Sequence, residues 1–317
     1  MTSVISTNPH TPLISALTTF YTLLTDLCYV SPSDLVLPSI TTRRHPPNTI
    51  NRAAALRHGF SNAAVDLAYQ IPYITSDSYE FDGSTVCLCY IIPPGKEIVP
   101  THGIVPDDGI EEDEVGEEPW DFARDPTYQE RNDIFTGHNA LMLTRGLLYG
   151  KELVYDLDKR TITAWNHIDT PEPWTNVPAY EMTSWENPLY QWIYSFLTLS
   201  FLPFNESLLF PLPPVEERGY NGVNPTERDL ISWERAMNVR VKEREFEDVY
   251  VSCGWNGDAA NKLGSDMTNN GQSSSRVWER LEEARKEVVK HFRGDEFEKM
   301  SKEWKENVYD KIPFNYA

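Results

Sequence analysis

The spacing closest to a phosphate-binding loop in this 317-residue chain is Gly146-Leu-Leu-Tyr-Gly150-Lys151-Glu152. Such a loop needs four residues between its glycines and a Ser or Thr after the lysine to hold magnesium. Here three residues separate the glycines, and Glu152 follows the lysine. Its charge repels phosphate, so nucleotide binding is not expected. Neither a Gly-x-Ser-x-Gly elbow nor a His-Glu-x-x-His helix occurs,. The Asp- and Gly-containing stretch 107–118 lacks the alternating ligands and closing bidentate Glu of a calcium loop. His102, His138 and His167 fall near the expected sheet. With Asp156, Asp158 and Asp169 they define the one acid–base or metal constellation to weigh. No ligand spacing ties them together, and surface or loop positions are the commoner fate of scattered histidines. Cys87 and Cys89 form a CxC pair rather than the CxxC of a redox or zinc site. With Cys28 and Cys253 they read as small buried hydrophobes in a reducing compartment. No catalytic residue, metal or cofactor is therefore expected. An enzyme working around Asp156, Asp158 and His167 is the alternative.

Aromatic residues offer a different chemistry. Trp165, Trp174 and Trp185 cluster with Tyr180 among several prolines. Rings on irregular backbone suit a recognition surface, and they suit a large core with loop lids still more often. These four are the candidate binding residues.

Charge narrows the partners. The formal charge is −20 and the isoelectric point about 4.7. Such a chain repels phosphate backbones and anionic membrane surfaces, so neither nucleic acid nor membrane is an expected partner. Glu111, Glu112, Asp113, Glu114, Glu117 and Glu118 are nearly contiguous, and 107–121 has no periodic apolar face. It reads as a mobile acidic loop that would steer a basic protein partner. No Lys or Arg precedes Arg43, which argues against a leader peptide. The most apolar window, 189–204, falls short of the roughly 20 residues of a membrane span. The expected setting is cytoplasmic or nuclear.

The elements that must position these groups follow from periodicity and punctuation. Gly150–Trp165 reads as a hairpin, with Leu153, Tyr155 and Leu157 on one face and Val154, Asp156 and Asp158 on the other. Its turn lacks Asn-Gly or Asp-Gly, so a connection of three or four residues is expected. Strands are expected over 85–92 and 139–144. Helices are expected from Thr11-Pro12 to Ser31-Pro32, over 51–58, from the Ser61 cap to about Gln70, over 189–202 behind the Asn187-Pro188 cap, from Asn224-Pro225 onward with the pattern continuing to Gly254, over 277–292, and from Phe297 to Val308. The Gly-, Asn- and Ser-rich stretch 256–275 reads as flexible. Together these give an α+β fold, one mainly antiparallel sheet packed by N- and C-terminal helices. Residues 1–215 would form the α+β domain, with an acidic insertion at 102–133, and 216–317 a helical extension.

Four runs carry a resemblance. Ala53-Ala-Ala-Leu-Arg-His-Gly-Phe-Ser61, followed by Ile71-Pro-Tyr-Ile74, resembles a helix pair and Pro-Tyr turn of an uncharacterised protein family of filamentous fungi. The Leu153–Trp165 hairpin and Tyr250-Val-Ser-Cys-Gly-Trp255 match further motifs of that family. The layout is also similar to the SUKH superfamily of cell-wall-assembly regulators and toxin-immunity proteins. That resemblance implies a non-catalytic, protein-binding or regulatory role. An accessory protein of a biosynthetic pathway is a further alternative.

Overall fold

Thr11–Asp26 forms the first helix, α1, in the computed structural model, which describes residues 8–81, 85–93, 118–124, 136–146, 150–166, 177–202, 244–269 and 277–307. Leu13, Leu17, Phe20 and Leu24 are buried at the expected spacing of three and four,. The helix stops before Ser31-Pro32. Cys28 adopts φ +56°. Its N–H reaches the Thr25 carbonyl at 2.9 Å, and the Tyr29 N–H reaches Leu24 at 3.1 Å. This is the paired C-terminal closure that glycine usually makes. A cysteine in that position hides the stop from a reading based on Gly and Pro.

The next two helices obey their caps. In α2 (Arg52–Arg57) the Asn51 side chain accepts from the Ala54 N–H, and in α3 (Asn62–Ala68) Ser61 accepts from Ala64,. Gly59 makes the turn between them at φ +81°,. Short strands β1 (Leu35–Val36) and β2 (Tyr73–Ile74) pair antiparallel on either side of this unit.

The expected strand over 85–92 is regular only as β3 (Thr85–Cys87). Helix α4 (Glu118–Arg124) comes next. The acidic stretch, expected to be loop through Asp121, is therefore helical from Glu118. Trp120 buries its ring against Tyr90 at 4.2 Å and Phe60 at 5.1 Å, and that burial favours the helix. The expected strand at 139–144 divides around Leu143 into β4 (Ala140–Met142) and β5 (Thr144–Gly146). β5 pairs with β3. β4 joins an antiparallel sheet of order β4-β6-β7-β8, with β6 at Glu152–Asp156, β7 at Thr161–Trp165 and β8 at Ala179–Glu181. Leu153 lies opposite Ala164 and Tyr155 opposite Ile162. Leu153, Tyr155 and Leu157 are buried as expected. The connection 157–160 has four residues, and Arg160 turns it at φ +57°.

Helix α5 (Pro188–Leu197), capped by Asn187, buries Leu189, Tyr190, Trp192, Ile193, Phe196 and Leu197. It ends before Leu202, because Leu199 turns left-handed at φ +57°. After it come α6 over 244–252, α7 (Gly257–Asn269), α8 (Val277–Val289) and α9 (Gly294–Asn307). Much of the stretch expected to be flexible is thus helix α7. Gly264 is there for close approach, since a Cβ would lie 2.3 Å from the Tyr194 hydroxyl. The described C-terminal helices also do not stand apart as an extension. α8 lies against α1 and α5. The Thr19 hydroxyl donates to Glu282 at 3.1 Å, the Tyr250 hydroxyl to the Leu27 carbonyl at 2.9 Å, and Arg285 pairs with Asp26. One buried cluster joins these helices to the sheet, so the α+β architecture includes helices from both halves of the chain. The run 107–117, His102, His167, Asp169, Trp174 and the first part of the helix expected from Asn224-Pro225, up to residue 243, lie outside the described residues, and its continuation toward Gly254 is α6.

Candidate functional site

The described aromatic candidates, Trp165, Tyr180 and Trp185, do not share an exposed face. Trp165 is 1% exposed at the end of β7, where Glu152 lies opposite it. Trp185 is buried, with its ring edge-on to Tyr194 at 5.4 Å. Both pack the core instead of offering a contact surface. Tyr180 is half-buried on the edge strand β8, and Trp174 lies outside the described residues.

The acid–base candidates serve the hairpin. Asp156 Oδ1 accepts the backbone N–H groups of Asp158 at 3.0 Å and Lys159 at 2.9 Å, and Oδ2 pairs with Lys159 Nζ at 3.0 Å. Burial pulls the Asp156 pKa upward, but these hydrogen bonds and the Lys159 charge outweigh it and hold the pKa below the usual carboxylate value,. Asp158 is exposed and receives the Asn139 amide at 3.1 Å. Both carboxylates close a turn, an ordinary task for Asp. His138 is exposed, and its ring meets the Gly59 carbonyl. The four cysteines are free. Burial pushes Cys28 up to about 11 and Cys89 up to about 12, and raises Cys87 also, so these three are neutral thiols at pH 7,. Among the described residues no group of three or more His, Cys, Asp or Glu side chains is placed to hold a metal ion.

Two features were not anticipated. The first is Glu152. Its carboxyl is fully buried at the start of β6, and a Cβ on Gly146 would lie 2.8 Å from its Oε1. Burial pushes its pKa up to about 8, against the opposing pull of backbone hydrogen bonds from Glu152 and Gly146. It is a protonated, structural acid at neutral pH.

The second is a cleft of about 460 Å³ whose walls include Arg44, Arg52, His45, Tyr69 and Ile50. Arg44 comes from a loop and Arg52 opens α2. Both guanidinium groups reach one oxygen of Asp66 on α3, at 3.0 and 3.3 Å. Arg52 also donates to Asn62. Arg44 lies over the Tyr69 ring, 5.3 Å from its centroid,. The floor carries no charge. Burial lowers the His45 pKa against the opposing Ile71 hydrogen bond, so the ring is neutral, and its Nε2–H donates to the Ile71 carbonyl at 2.7 Å. Burial raises the Tyr69 hydroxyl, which donates to the Ile50 carbonyl at 3.1 Å.

The loop that presents Arg44 is held by backbone bonds. The His45 N–H reaches Tyr69 at 2.8 Å, the Arg43 N–H reaches Ser39 at 2.7 Å, and the Ile92 N–H reaches Thr49 at 2.8 Å. Arg43 and Asn48 sit at φ +56° and +68°. Left-handed residues other than glycine cost free energy and persist where the surroundings hold them, as they do at binding sites. Four residues before Arg44, Ile40 is 97% exposed in the turn that leads to it, and Leu37 and Leu56 are also exposed.

A sequence signal for this face exists. No Asp or Glu occurs between Asp34 and Asp66, a stretch that holds Arg43, Arg44, Arg52 and Arg57. In a chain of charge −20 that window is a basic island. Whole-chain charge and contiguous basic runs both pass over it, because its arginines are spread along the sequence and the fold gathers them. Comparisons with family models, curated proteins and solved structures return no match for this chain.

Proposed function

We propose that this chain is a non-catalytic protein-interaction protein that docks an acidic partner on the face formed by the 37–44 turn and the Arg44–Arg52 cleft. The observation that carries this reading is the convergence of Arg44 and Arg52 on one cleft in a segment without acids, with the exposed Ile40 four residues before Arg44. Arginine and tyrosine, here Arg44 over the Tyr69 ring, are among the residues enriched in interaction hot spots,. Of the acids weighed for catalysis, Asp156 and Asp158 are engaged in the hairpin connection. The free cysteines support a reducing setting, cytoplasmic or nuclear,.

The test compares proteins retained by the wild type with those retained by Ile40→Ser and by Arg43→Ser/Arg44→Ser. A partner lost with both variants supports the proposal, and an unchanged set overturns it. A second reading, a basic partner drawn by the charge of −20, differs in its salt response. Association with an acidic partner should quicken as salt screens long-range repulsion, whereas association with a basic partner should slow.

A further inference from the structure

We infer that the Arg44–Arg52 cleft is a receptor for a single carboxylate, that of an aspartate or glutamate side chain on the partner, and that Asp66 sets this preference by dividing its own charge between the two arginines. The inference rests on the docking face proposed above and names the group recognised there.

The argument is a charge count within the cleft. Arg44 and Arg52 contribute two positive charges, both permanent. The carboxylate they share is Asp66, met at 3.0 and 3.3 Å through one oxygen. His45 and Tyr69, the titratable groups of the floor, are neutral at pH 7 and use their polar hydrogens on backbone carbonyls. One positive charge is left over. A carboxylate balances it, while a phosphate monoester dianion overshoots by one charge beside Asp66. The guanidinium groups of Arg44 and Arg52 are partly exposed, so a ligand can reach them. Arg44 is kept in place by Asp66 and by the Tyr69 ring beneath it, and Arg52 by Asp66 and Asn62. Little side-chain freedom is then lost on binding, which favours affinity. About 460 Å³ admits one side chain with its neighbouring backbone,. Apolar wall residues such as Ile50 and Pro47 suit the methylene part of Glu or an apolar neighbour in the peptide.

The experiment follows the side-chain Nε–Hε signals of Arg44 and Arg52 by NMR. The full chain is titrated with three blocked peptides: acetyl-Leu-Glu-Leu-amide, its Gln counterpart and its phosphoserine counterpart. The expected result is saturable shifts at both arginines with the Glu peptide, none with the Gln peptide, and weaker binding of the phosphopeptide. Arg44→Gln and Arg52→Gln should each lower affinity for the Glu peptide about tenfold or more, the loss expected for one charge-assisted hydrogen bond. Asp66→Asn should reverse the order, with the phosphopeptide binding more tightly than the Glu peptide. A preference for phosphopeptide in the wild type, equal shifts with the Gln peptide, or no change of order in Asp66→Asn would each overturn the inference. A Glu peptide that shifts the arginines only after the chain's own acidic run 107–118 is neutralised would also overturn it, by showing that the partner does not come from outside. If the peptides leave the arginines unmoved while Ile40→Ser still loses its partner, the carboxylate receptor fails and the docking face stands. If the peptides bind as expected while Ile40→Ser loses nothing, the docking face fails instead.

Discussion

Replacing Glu152 by Gln should make this protein more stable at neutral and alkaline pH and leave it nearly unchanged in acid. In the fold the carboxyl is fully buried and its pKa is raised from 4.5 to about 8. A raised acid holds its proton in the folded state after the unfolded chain has released it. Its contribution is therefore most favourable below pH 4.5, declines as pH rises from 4.5 to about 8, and is constant above that. The decline is about 1.4 kcal/mol per pH unit, which amounts to about 3 kcal/mol by pH 7. Gln has the same shape, carries no charge at any pH and fits the space against Gly146. Urea denaturation of both proteins at pH 5, 6, 7 and 8 isolates the effect. Every other titrating group is common to the pair and cancels in the difference, apart from groups coupled to Glu152. The free-energy gap should widen steadily in favour of Gln up to pH 8. Parallel stability curves, or a variant less stable at pH 8 than at pH 5 relative to wild type, would refute the protonated buried acid.

Three further outcomes test the packing and the roles assigned to the acids. Asp156→Ala should cost about 1–2 kcal/mol by removing an acceptor for two turn N–H groups, while Asp156→Asn, which keeps the acceptor and loses the solvent-facing Lys159 pair, should cost under about 1 kcal/mol. Equal losses in thermal melts would place the value of Asp156 in its charge. Gly264→Ala should destabilise by about 1–3 kcal/mol, because its Cβ would meet the Tyr194 hydroxyl at 2.3 Å,. Gly257→Ala, which meets nothing within 4 Å, should be neutral or mildly stabilising in the same melt,. Arg285→Ala should cost about 1–3 kcal/mol by leaving Asp26 without its cation between α1 and α8 and Glu282 with Lys286 alone,. Calorimetry should show Arg285→Met recovering part of that loss if packing around the stem matters.

The acid readings divide for a physical reason. Asp156 was visible as a polar position on a hairpin, but its work depends on the local turn, where an Asp side chain bonds backbone two and three residues on. That bonding is short-range and legible once Arg160 closes the connection. Glu152, four residues earlier, looked like a spoiled phosphate loop. Its actual environment comes from the pairing of β5 with β3 and of β6 with β4 and β7, which no local pattern announces. The burial of Trp165 and Trp185 was no more legible. Composition near prolines marks Trp165 and Trp185 as rings on irregular chain, yet whether such rings face water depends on which strands and helices cover them.

By itself the sequence determined the local elements whose signals are short-range. The Ser61 and Asn187 caps, the buried stripe of α1, the alternation of Leu153, Tyr155 and Leu157 and the α+β class all follow from spacing and hydrogen-bonding capacity within a few residues. Tertiary structure alone decided the rest. Cys28 and Leu199 stop helices in left-handed conformations that their side chains disfavour, held there by surrounding contacts. Gly264 reads as flexible in sequence and serves as close packing against Tyr194. Arg44, Arg52 and Asp66 become one cleft only because a loop and two helix segments fold back on each other. Electrostatic interaction falls off with distance in space, not along the chain, so a basic face can exist on a chain whose net charge is −20,.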